Sequence, residues 1–223
     1  MTRIVDLSPT VPDGFRGPPS TDVGVRFETS VKPGYWQSSL ASLNVHTGCH
    51  VESGLHVEDH GEAIDAVELE RVVGSAVLLD LTPVEPRALI GPSELAEAAG
   101  GQIRAGDVLL LRTDWTSHAL GTPDYFPLSP ALTAEAAEWL VERAPRCVGC
   151  DFIEEPAARD PGWAAPDFVV HRTILGAGIP LVEGLVGLDA LPPRCDFYAP
   201  FVKLAGIEAA PARAFAVVSE GGS

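Results

Sequence analysis

The sequence predicts one mixed α/β domain spanning residues 1–223. Short runs of branched and apolar residues alternate with stretches that carry helical spacing and helix caps. No internal repeat, low-complexity linker or shift in composition marks a domain boundary. Apolar residues make up 46% of the 223 residues and charged residues 21%, a balance typical of a globular protein with a substantial core.

The predicted strands are short, apolar and bounded by turn-forming residues. The opening segment to about residue 40 is rich in Pro and Gly and predicts loop with short strands. Four strands are expected in the middle of the chain, in LNVHTGCHV, SAVLLDLT, DVLLLRTDW and RCVGCDF. The last segment, FYAPFVKLAGIEAAPARAFAVV, predicts a strand, a loop and a strand.

Three helices are expected between these strands. SELAEAAGG begins with Ser93 as a candidate N-cap and ends in Gly. TAEAAEWLVERA combines Thr133 as a candidate N-cap with Ala and Leu at helical spacing. HRTILGAG predicts a further short helix that Gly terminates.

Net charge narrows the classes of partner. The formal charge of −16 argues against nucleic acid and against an anionic membrane surface, because both would repel the chain. The opening MTRIVDLSPT lacks the features of an export signal, and no run of about 18 apolar residues predicts a membrane span. We therefore expect a cytoplasmic protein that acts on a small molecule.

The four cysteines are expected to be reduced thiols in that compartment. Cys147 and Cys150 form a CxxC, which is also found in redox pairs and as half of a zinc site. They close an apolar run rather than open a helix, and no second CxxC is present. Buried thiols are the favoured interpretation.

The segment HTGCHVESGLH concentrates three of the six histidines within eleven positions. His46, His50, Glu52 and His56 all stand at even-numbered positions, and the odd-numbered positions between them are mostly apolar. A strand would place the two sets on opposite faces, whereas a helix would turn Glu52 away from His50. The pattern predicts a metal site, and the alternative is a set of surface histidines on an exposed edge.

A straight strand would separate His46 from His50 by about 13 Å, too far for one metal ion. Gly48 and Gly54 stand where a bend in the backbone would cost least. His50 and Glu52, about 7 Å apart on one face, could share an ion without a bend. Imidazole and carboxylate together suit zinc, or manganese or iron where oxygen ligands dominate.

Further ligands are expected from a second segment. His171 is followed twelve residues later by Glu183, a charged residue inside the apolar run GIPLVEGL. An unpaired buried carboxylate there would be costly, and a metal ion would remove that cost. The alternative is a salt bridge between Glu183 and an arginine such as Arg172.

Several segments, in order, resemble the cyclase-like metal-dependent hydrolases, the family that includes bacterial kynurenine formamidase and isatin hydrolase. HTGCHVESGLH resembles the family's HxGTHxDxPxH motif, and RIVDLSPTV its first strand. LLRTDW resembles its RTGW segment. YFPLSPALTAEAAEWL, HRTILGAGIPLVEGLVGLDAL and FYAPFVKLAGIEAAPARAF resemble later blocks, so the resemblance extends through most of the chain.

The resemblance implies a swivelling β/β/α fold, with central sheets or a partial barrel and flanking helices, and a homodimer. It also implies one or two divalent metal ions per chain, Zn²⁺ or Mn²⁺. By that likeness the first ion is held by His46, His50 and Glu52, and the second is surrounded by Glu52, His171 and Glu183. His56 is implied as the residue that transfers protons rather than as a ligand.

These features lead to the hypothesis of a hydrolase that opens an amide, lactam or ester bond of a small molecule. Metal-bound hydroxide would attack, and His56 would act as proton shuttle. One alternative is a metal-assisted lyase, dehydratase or cyclase of a biosynthetic pathway, which would use the same metal and the same base. Another is a binding protein without turnover.

The chain departs from the family's motif at three positions: the family's Thr is Cys49, its Asp is Glu52 and its Pro is Gly54. Cys49 has the wrong parity for a ligand on the strand, so packing is expected, with a thiolate ligand or nucleophile as the alternative. After Asp151 the chain reads FIEEP, where the family usually has a Pro-Ser pair. Seven aromatic residues are candidates for the core or for an entrance to the site: Phe15, Tyr35, Trp36, Trp115, Tyr125, Phe126 and Trp163.

Overall fold

A computed structural model describes residues 1–19, 24–160 and 162–219. Its strands are β1 (Thr2–Asp6), β2 (Arg26–Lys32), β3 (Trp36–Ser42), β4 (His50–Glu52), β5 (Val73–Asp80), β6 (Leu89–Ile90), β7 (Val108–Arg112), β8 (Ala131–Leu132), β9 (Val148–Cys150), β10 (Leu181–Glu183), β11 (Arg194–Tyr198), β12 (Ala209–Pro211) and β13 (Phe215–Ser219). Its α-helices are α1 (Pro92–Ala99), α2 (Trp115–Ala119), α3 (Ala134–Glu142) and α4 (Val169–Gly176).

Nine of these strands form one mixed sheet in the order β1-β13-β11-β5-β7-β9-β10-β4-β12. The central strands β5, β7, β9 and β10 run parallel, and the remaining pairs are antiparallel. The sheet curls into a half-barrel. The predicted mixed α/β fold with flanking helices is therefore confirmed.

The core lies on both faces of the central strands. Four of the five residues of β7 are buried, and alternate side chains enter different clusters. Leu110 packs in the cluster that contains Val51 and Phe197, whereas Leu109 and Leu111 pack in the cluster beneath α1, α3 and α4. The helices thus cover one face, and the loops that follow β9 and β10 meet at one edge of the sheet.

The helix predictions are confirmed with one correction. The N-cap of α1 is Gly91, whose N–H is 3.1 Å from the Glu94 carboxylate, while Ser93 lies inside the first turn. Thr133 caps α3 as predicted, since its hydroxyl oxygen accepts from the Ala136 N–H at 3.1 Å. None of the helices among residues 1–19, 24–160 and 162–219 combines the length and apolarity needed to cross a bilayer.

The strand predicted in DVLLLRTDW is shorter than expected, because β7 stops at Arg112 and Trp115 begins the helix α2. The buried Asp151 carboxylate accepts from the N–H and the hydroxyl of Thr113 and from the N–H of Asp114. These three bonds turn the chain out of the sheet, and Asp114 adopts a positive φ of 63°. The sequence pattern did not show this contact, because Asp151 lies 38 residues after Thr113 and 37 residues after Asp114.

The opening segment contains a hairpin in addition to loops. β2 and β3 pair along seven residues each, and every residue of both strands is exposed. The hairpin carries large apolar side chains in solvent, with Tyr35 79% and Trp36 72% exposed. Neither residue belongs to the core or lines the cavity described below.

Candidate metal centre

The histidine-rich segment is not one long strand. Only His50–Glu52 forms β4, and the preceding residues form turns and bends around Gly48, which has a φ of 69°. His56 lies in a short 3-10 turn, Gly54–His56. The predicted common face for all four residues is therefore wrong outside His50 and Glu52, because the bend at Gly48 folds His46 back toward Glu52.

Strand pairing positions the second segment against the first. β4 lies between β10 and β12, and Glu183 of β10 is the register partner of His50. At Gly184 the backbone has a φ of 69° and passes so close to the Gly48 carbonyl that a Cβ there would clash with it. The same carbonyl oxygen lies 2.9 Å from Nδ1 of His50 and orients that ring.

Three imidazoles surround one oxygen of Glu52. Oε1 of Glu52 lies 2.6 Å from Nδ1 of His46, 3.2 Å from Nε2 of His50 and 4.0 Å from Nε2 of His56. The carboxylate of Glu52 is almost completely buried, whereas the side chain of His56 is 28% exposed. His56 is therefore the outermost of the three rings and has the longest contact.

A fourth imidazole lies on the other side of Glu52. Nε2 of His171, which α4 carries, is 3.4 Å from Oε2 of Glu52 and 3.2 Å from Oε1 of Glu183. Glu183 also approaches His50 at 3.7 Å. The structure therefore brings together all six residues that the sequence singled out, at one point between β4, β10 and α4.

The salt bridge considered for Glu183 does not occur. The Arg172 guanidinium donates to the Val57 carbonyl at 2.9 Å, and the contacts of Glu183 are with histidines. Cys49 is buried in the core cluster with Val51, and burial raises the pKa of its thiol. Packing, rather than ligation, accounts for Cys49 as the sequence predicts.

Three carboxylates of the site escaped the sequence reasoning, and one of them, Glu155, lies 3.3 Å from Nδ1 of His171. Oε1 of Glu154 lies 3.4 Å from Nε2 of His171, and Oε1 of Glu208 lies 3.1 Å from Nε2 of His46. Glu154 is completely buried and follows β9, so an acidic pair at the end of an apolar strand was the available signal. Glu208 precedes β12 and had no distinguishing pattern around it.

The pKa values of the site reflect the crowding of acids and imidazoles. Burial opposes protonation of His46, yet the hydrogen bond with Glu52 and the neighbouring acids raise the pKa of His46 to about 9. Burial, together with the nearby His46 and His171 rings, lowers the pKa of His56. Burial and the adjacent Glu183 carboxylate raise the pKa of Glu154 well above its ordinary value.

The donor set fits a divalent cation. Three groups have donor atoms within 4.8 Å of one another, and they are His46, Glu52 and His56; His50, Glu52 and Glu183; and Glu154, His171 and Glu183. Oε2 of Glu52 and both carboxylate oxygens of Glu154 are buried without a hydrogen-bond partner. Buried, unpaired carboxylates are costly unless a cation compensates them, and imidazole with carboxylate is the ligand chemistry of Zn²⁺ and Mn²⁺.

A cavity of about 1110 Å³ opens onto this cluster. All six residues from the sequence prediction line it. Its walls include two arginines, Arg16 and Arg172, and five aromatic residues: Phe15, Tyr125, Phe126, Trp163 and Phe168. Four of the seven aromatic candidates therefore face the cavity, whereas Trp115 packs against the core.

The chain is similar to known hydrolases. A family model described as putative cyclase matches residues 5–154. The kynurenine formamidase of Salinibacter ruber is 31% identical over 173 residues, which are 77% of this chain and 76% of that protein. The kynurenine formamidase of Bacillus thuringiensis (strain Al Hakam) is 29% identical over 146 residues, 65% of this chain and 63% of that protein.

Solved structures agree with this likeness. Isatin hydrolase A from Labrenzia aggregata, bound to benzyl benzoate, superimposes with a TM-score of 0.82 at 27% identity, over 98% of this chain and 94% of that one. A potential metal-dependent hydrolase with cyclase activity gives a TM-score of 0.76 at 25% identity, over 99% and 100% of the two chains. The predicted family is confirmed: with a family model across residues 5–154 and a relative matched over most of its length, the chain belongs to the putative cyclase family.

Proposed function

We propose that this protein is a metal-dependent hydrolase that opens an amide, lactam or ester bond of a small molecule. One observation carries the proposal: the buried Glu52 carboxylate faces four imidazoles at the floor of an open cavity. The relatives named for kynurenine formamidase and isatin hydrolase activities support amide and lactam substrates.

Five residues are proposed to hold the metal, Zn²⁺ or Mn²⁺, with one or two ions per chain: His46, His50, Glu52, His171 and Glu183. A bound divalent ion supplies Lewis-acid chemistry, which acidifies water and polarises a carbonyl group. The protein contributes a fixed set of donors, because β4, β10 and α4 hold four of these side chains in a buried cluster and the bend at Gly48 brings in His46. The bond of His50 to the Gly48 carbonyl fixes that ring with Nε2 toward Glu52.

His56 is proposed to transfer protons through Nε2. Its ring is the outermost of the three around Glu52, it is partly exposed, and it lines the cavity where a substrate would lie. In this role Nε2 takes a proton from the attacking water and delivers it to the departing amine or alcohol. The Glu52 carboxylate, 4.0 Å away, favours the charged ring between the two transfers.

The cavity walls favour a flat substrate. Five aromatic side chains line the cavity, and aromatic faces pack against planar rings. The neighbour that was solved with benzyl benzoate supports an aromatic ligand in the equivalent fold. The guanidinium groups of Arg16 and Arg172 would donate hydrogen bonds to a carboxylate on such a molecule.

We further propose that the protein is a homodimer, that residues 1–223 form one domain and that it acts in the cytoplasm. The exposed β2–β3 hairpin supports the dimer, since an isolated hairpin with solvent-exposed Trp36 is marginally stable in water. The pairing of β1 with β13 in the central sheet supports the single domain. The four free cysteines support a reducing compartment.

The test uses metal-free protein, reloaded with Zn²⁺ or Mn²⁺, and three probes: isatin as lactam, formanilide as amide and phenyl acetate as ester. Reactions run in ¹⁸O-labelled water, and mass spectrometry follows the label in the acid product. We expect metal-dependent turnover of at least one probe with one labelled oxygen in the acid. Product that forms without label would contradict hydrolysis, and no turnover with any metal would contradict the proposal.

A further inference from the structure

The His171 ring is held by a carboxylate that the sequence reasoning did not use. Oε2 of Glu155 accepts from the backbone N–H groups of Val170 and His171 at 2.9 and 3.1 Å, and it lies 3.3 Å from Nδ1 of His171. As an acceptor, Glu155 favours the hydrogen on Nδ1, which donates to the carboxylate, and Nε2 then points in the opposite direction. A carboxylate on the far ring nitrogen is the common support of a histidine that binds metal.

The other ring nitrogen faces too many acids. Nε2 of His171 lies 3.2 Å from Glu183, 3.4 Å from Glu52 and 3.4 Å from Glu154. If Nε2 carries a hydrogen, it can donate to only one of the three carboxylates. If the ring is neutral and its hydrogen is on Nδ1, Nε2 donates to none of them. Among residues 1–19, 24–160 and 162–219, the salt-bridge partners of these acids are histidines.

Of these three acids, Glu154 has the least compensation for its burial. It is completely buried, and neither of its carboxylate oxygens has a hydrogen-bond partner. It does not line the cavity, so a substrate bound there does not account for it. Its donor atoms nonetheless lie within 4.8 Å of those of His171 and Glu183, which is the arrangement of ligands around one ion.

We propose that Glu154 is a metal ligand, which binds a cation together with Nε2 of His171 and Glu183 from the side opposite the cavity. This inference rests on the proposed metal-dependent function and adds a ligand to its second metal position. With Glu154 and Glu183 that position has more oxygen than nitrogen donors, whereas the position at His46 and His50 is rich in imidazole. Carboxylate-rich sites favour Mn²⁺ over Zn²⁺, so the two positions differ in metal preference.

A proton is the competing explanation. A protonated Glu154 would be a neutral acid beside the Glu183 carboxylate and would need no metal ion. The two explanations differ in what Glu154→Gln does, because glutamine mimics the neutral acid in shape and charge but lacks the negative charge that makes a carboxylate a strong ligand for a hard cation.

The experiment titrates metal-free protein with MnCl₂, following free Mn²⁺ by electron paramagnetic resonance and bound metal by elemental mass spectrometry after desalting. We expect the wild type to hold two Mn²⁺ per chain and Glu154→Gln to hold one, with the lost ion bound at least ~100-fold more weakly. Loss of a supporting carboxylate alone costs about 10–100-fold, so loss of a ligand should cost no less. Glu208→Gln removes one carboxylate from the His46 side of the cluster and should leave the Mn²⁺ at His171 in place.

Thermal unfolding of the metal-free proteins serves as the folding control. Glu154→Gln should unfold at the wild-type temperature or above it, since glutamine keeps the shape of the buried side chain and cannot carry a negative charge. Equal Mn²⁺ stoichiometry and affinity in the wild type and Glu154→Gln would overturn the inference, while wild-type metal binding and turnover would leave the proposed function intact. A wild type that binds no Mn²⁺ or Zn²⁺ would overturn both.

Discussion

Replacing His56 with alanine separates proton transfer from metal binding. Of the three rings around Oε1 of Glu52, His56 has the longest contact, at 4.0 Å against 2.6 Å for His46 and 3.2 Å for His50. Its removal therefore leaves the closer donors in place, and metal content should not change. Positioned proton transfer contributes about 10²–10⁴-fold to a rate. We expect kcat to fall by that factor, which corresponds to about 2.7–5.4 kcal/mol of transition-state stabilisation.

The measurement pairs steady-state kinetics with metal content on the same preparation. His60→Ala is the matched control, because His60 lies four residues further along and its side chain is 95% exposed. That variant should retain both wild-type turnover and wild-type metal content. Loss of metal from His56→Ala would show that His56 is a ligand, and a kcat within a few-fold of wild type would refute its role in proton transfer.

Three further predictions test how the site is built. Removal of the metal by EDTA should lower the melting temperature by roughly 5–11 °C for a chain of this size, because a ligand at 100 times its Kd adds about 2.7 kcal/mol to the free energy of unfolding. Scanning fluorimetry with and without EDTA measures the shift, and an unchanged temperature would contradict a metal site in the folded state. Cys49→Ala should lower the free energy of unfolding in urea by about 1–2 kcal/mol and leave kcat within a few-fold of wild type, since the thiol packs in the core. Abolished turnover in a folded variant would show that Cys49 is a nucleophile or a ligand. Gly184→Ala should lower the free energy of unfolding by at least ~1–3 kcal/mol and weaken metal binding, because the new Cβ would clash with the Gly48 carbonyl. Gly178 has a similar φ of 76° but open space around it, so equal losses in Gly178→Ala would refute the argument from close approach.

The residue types of the site could be predicted from sequence, but their geometry could not. Parity placed His50 and Glu52 correctly because β4 is a true strand. The same rule failed for His46, which approaches Glu52 only because Gly48 bends the chain. A pattern of period two describes a straight strand, and it carries no information once one residue adopts a positive φ.

Glu154 shows what a search for motifs overlooks. Parallel strands that lie side by side in one sheet bring their carboxyl ends to the same edge, where ligands commonly bind. β9 and β10 are such a pair, and Glu154 follows the first while Glu183 ends the second. The sequence contains both acids at the ends of apolar strands, but their proximity depends on which strands are neighbours. Strand order was not predictable from the chain itself.

The extra methylene of Glu52 matters because of where its two oxygens point. Oε1 faces His46 and His50, and Oε2 faces His171 on α4, so one side chain spans two groups of donors. An aspartate on the same backbone would draw both oxygens back by about 1.5 Å, the length of one C–C bond. Metal–ligand distances tolerate only about 0.2 Å, so this backbone geometry requires glutamate at position 52 if one carboxylate is to serve both groups of donors. The departure from the family's Asp is therefore compatible with a shared ligand, because the side chain rather than the backbone covers the distance to His171.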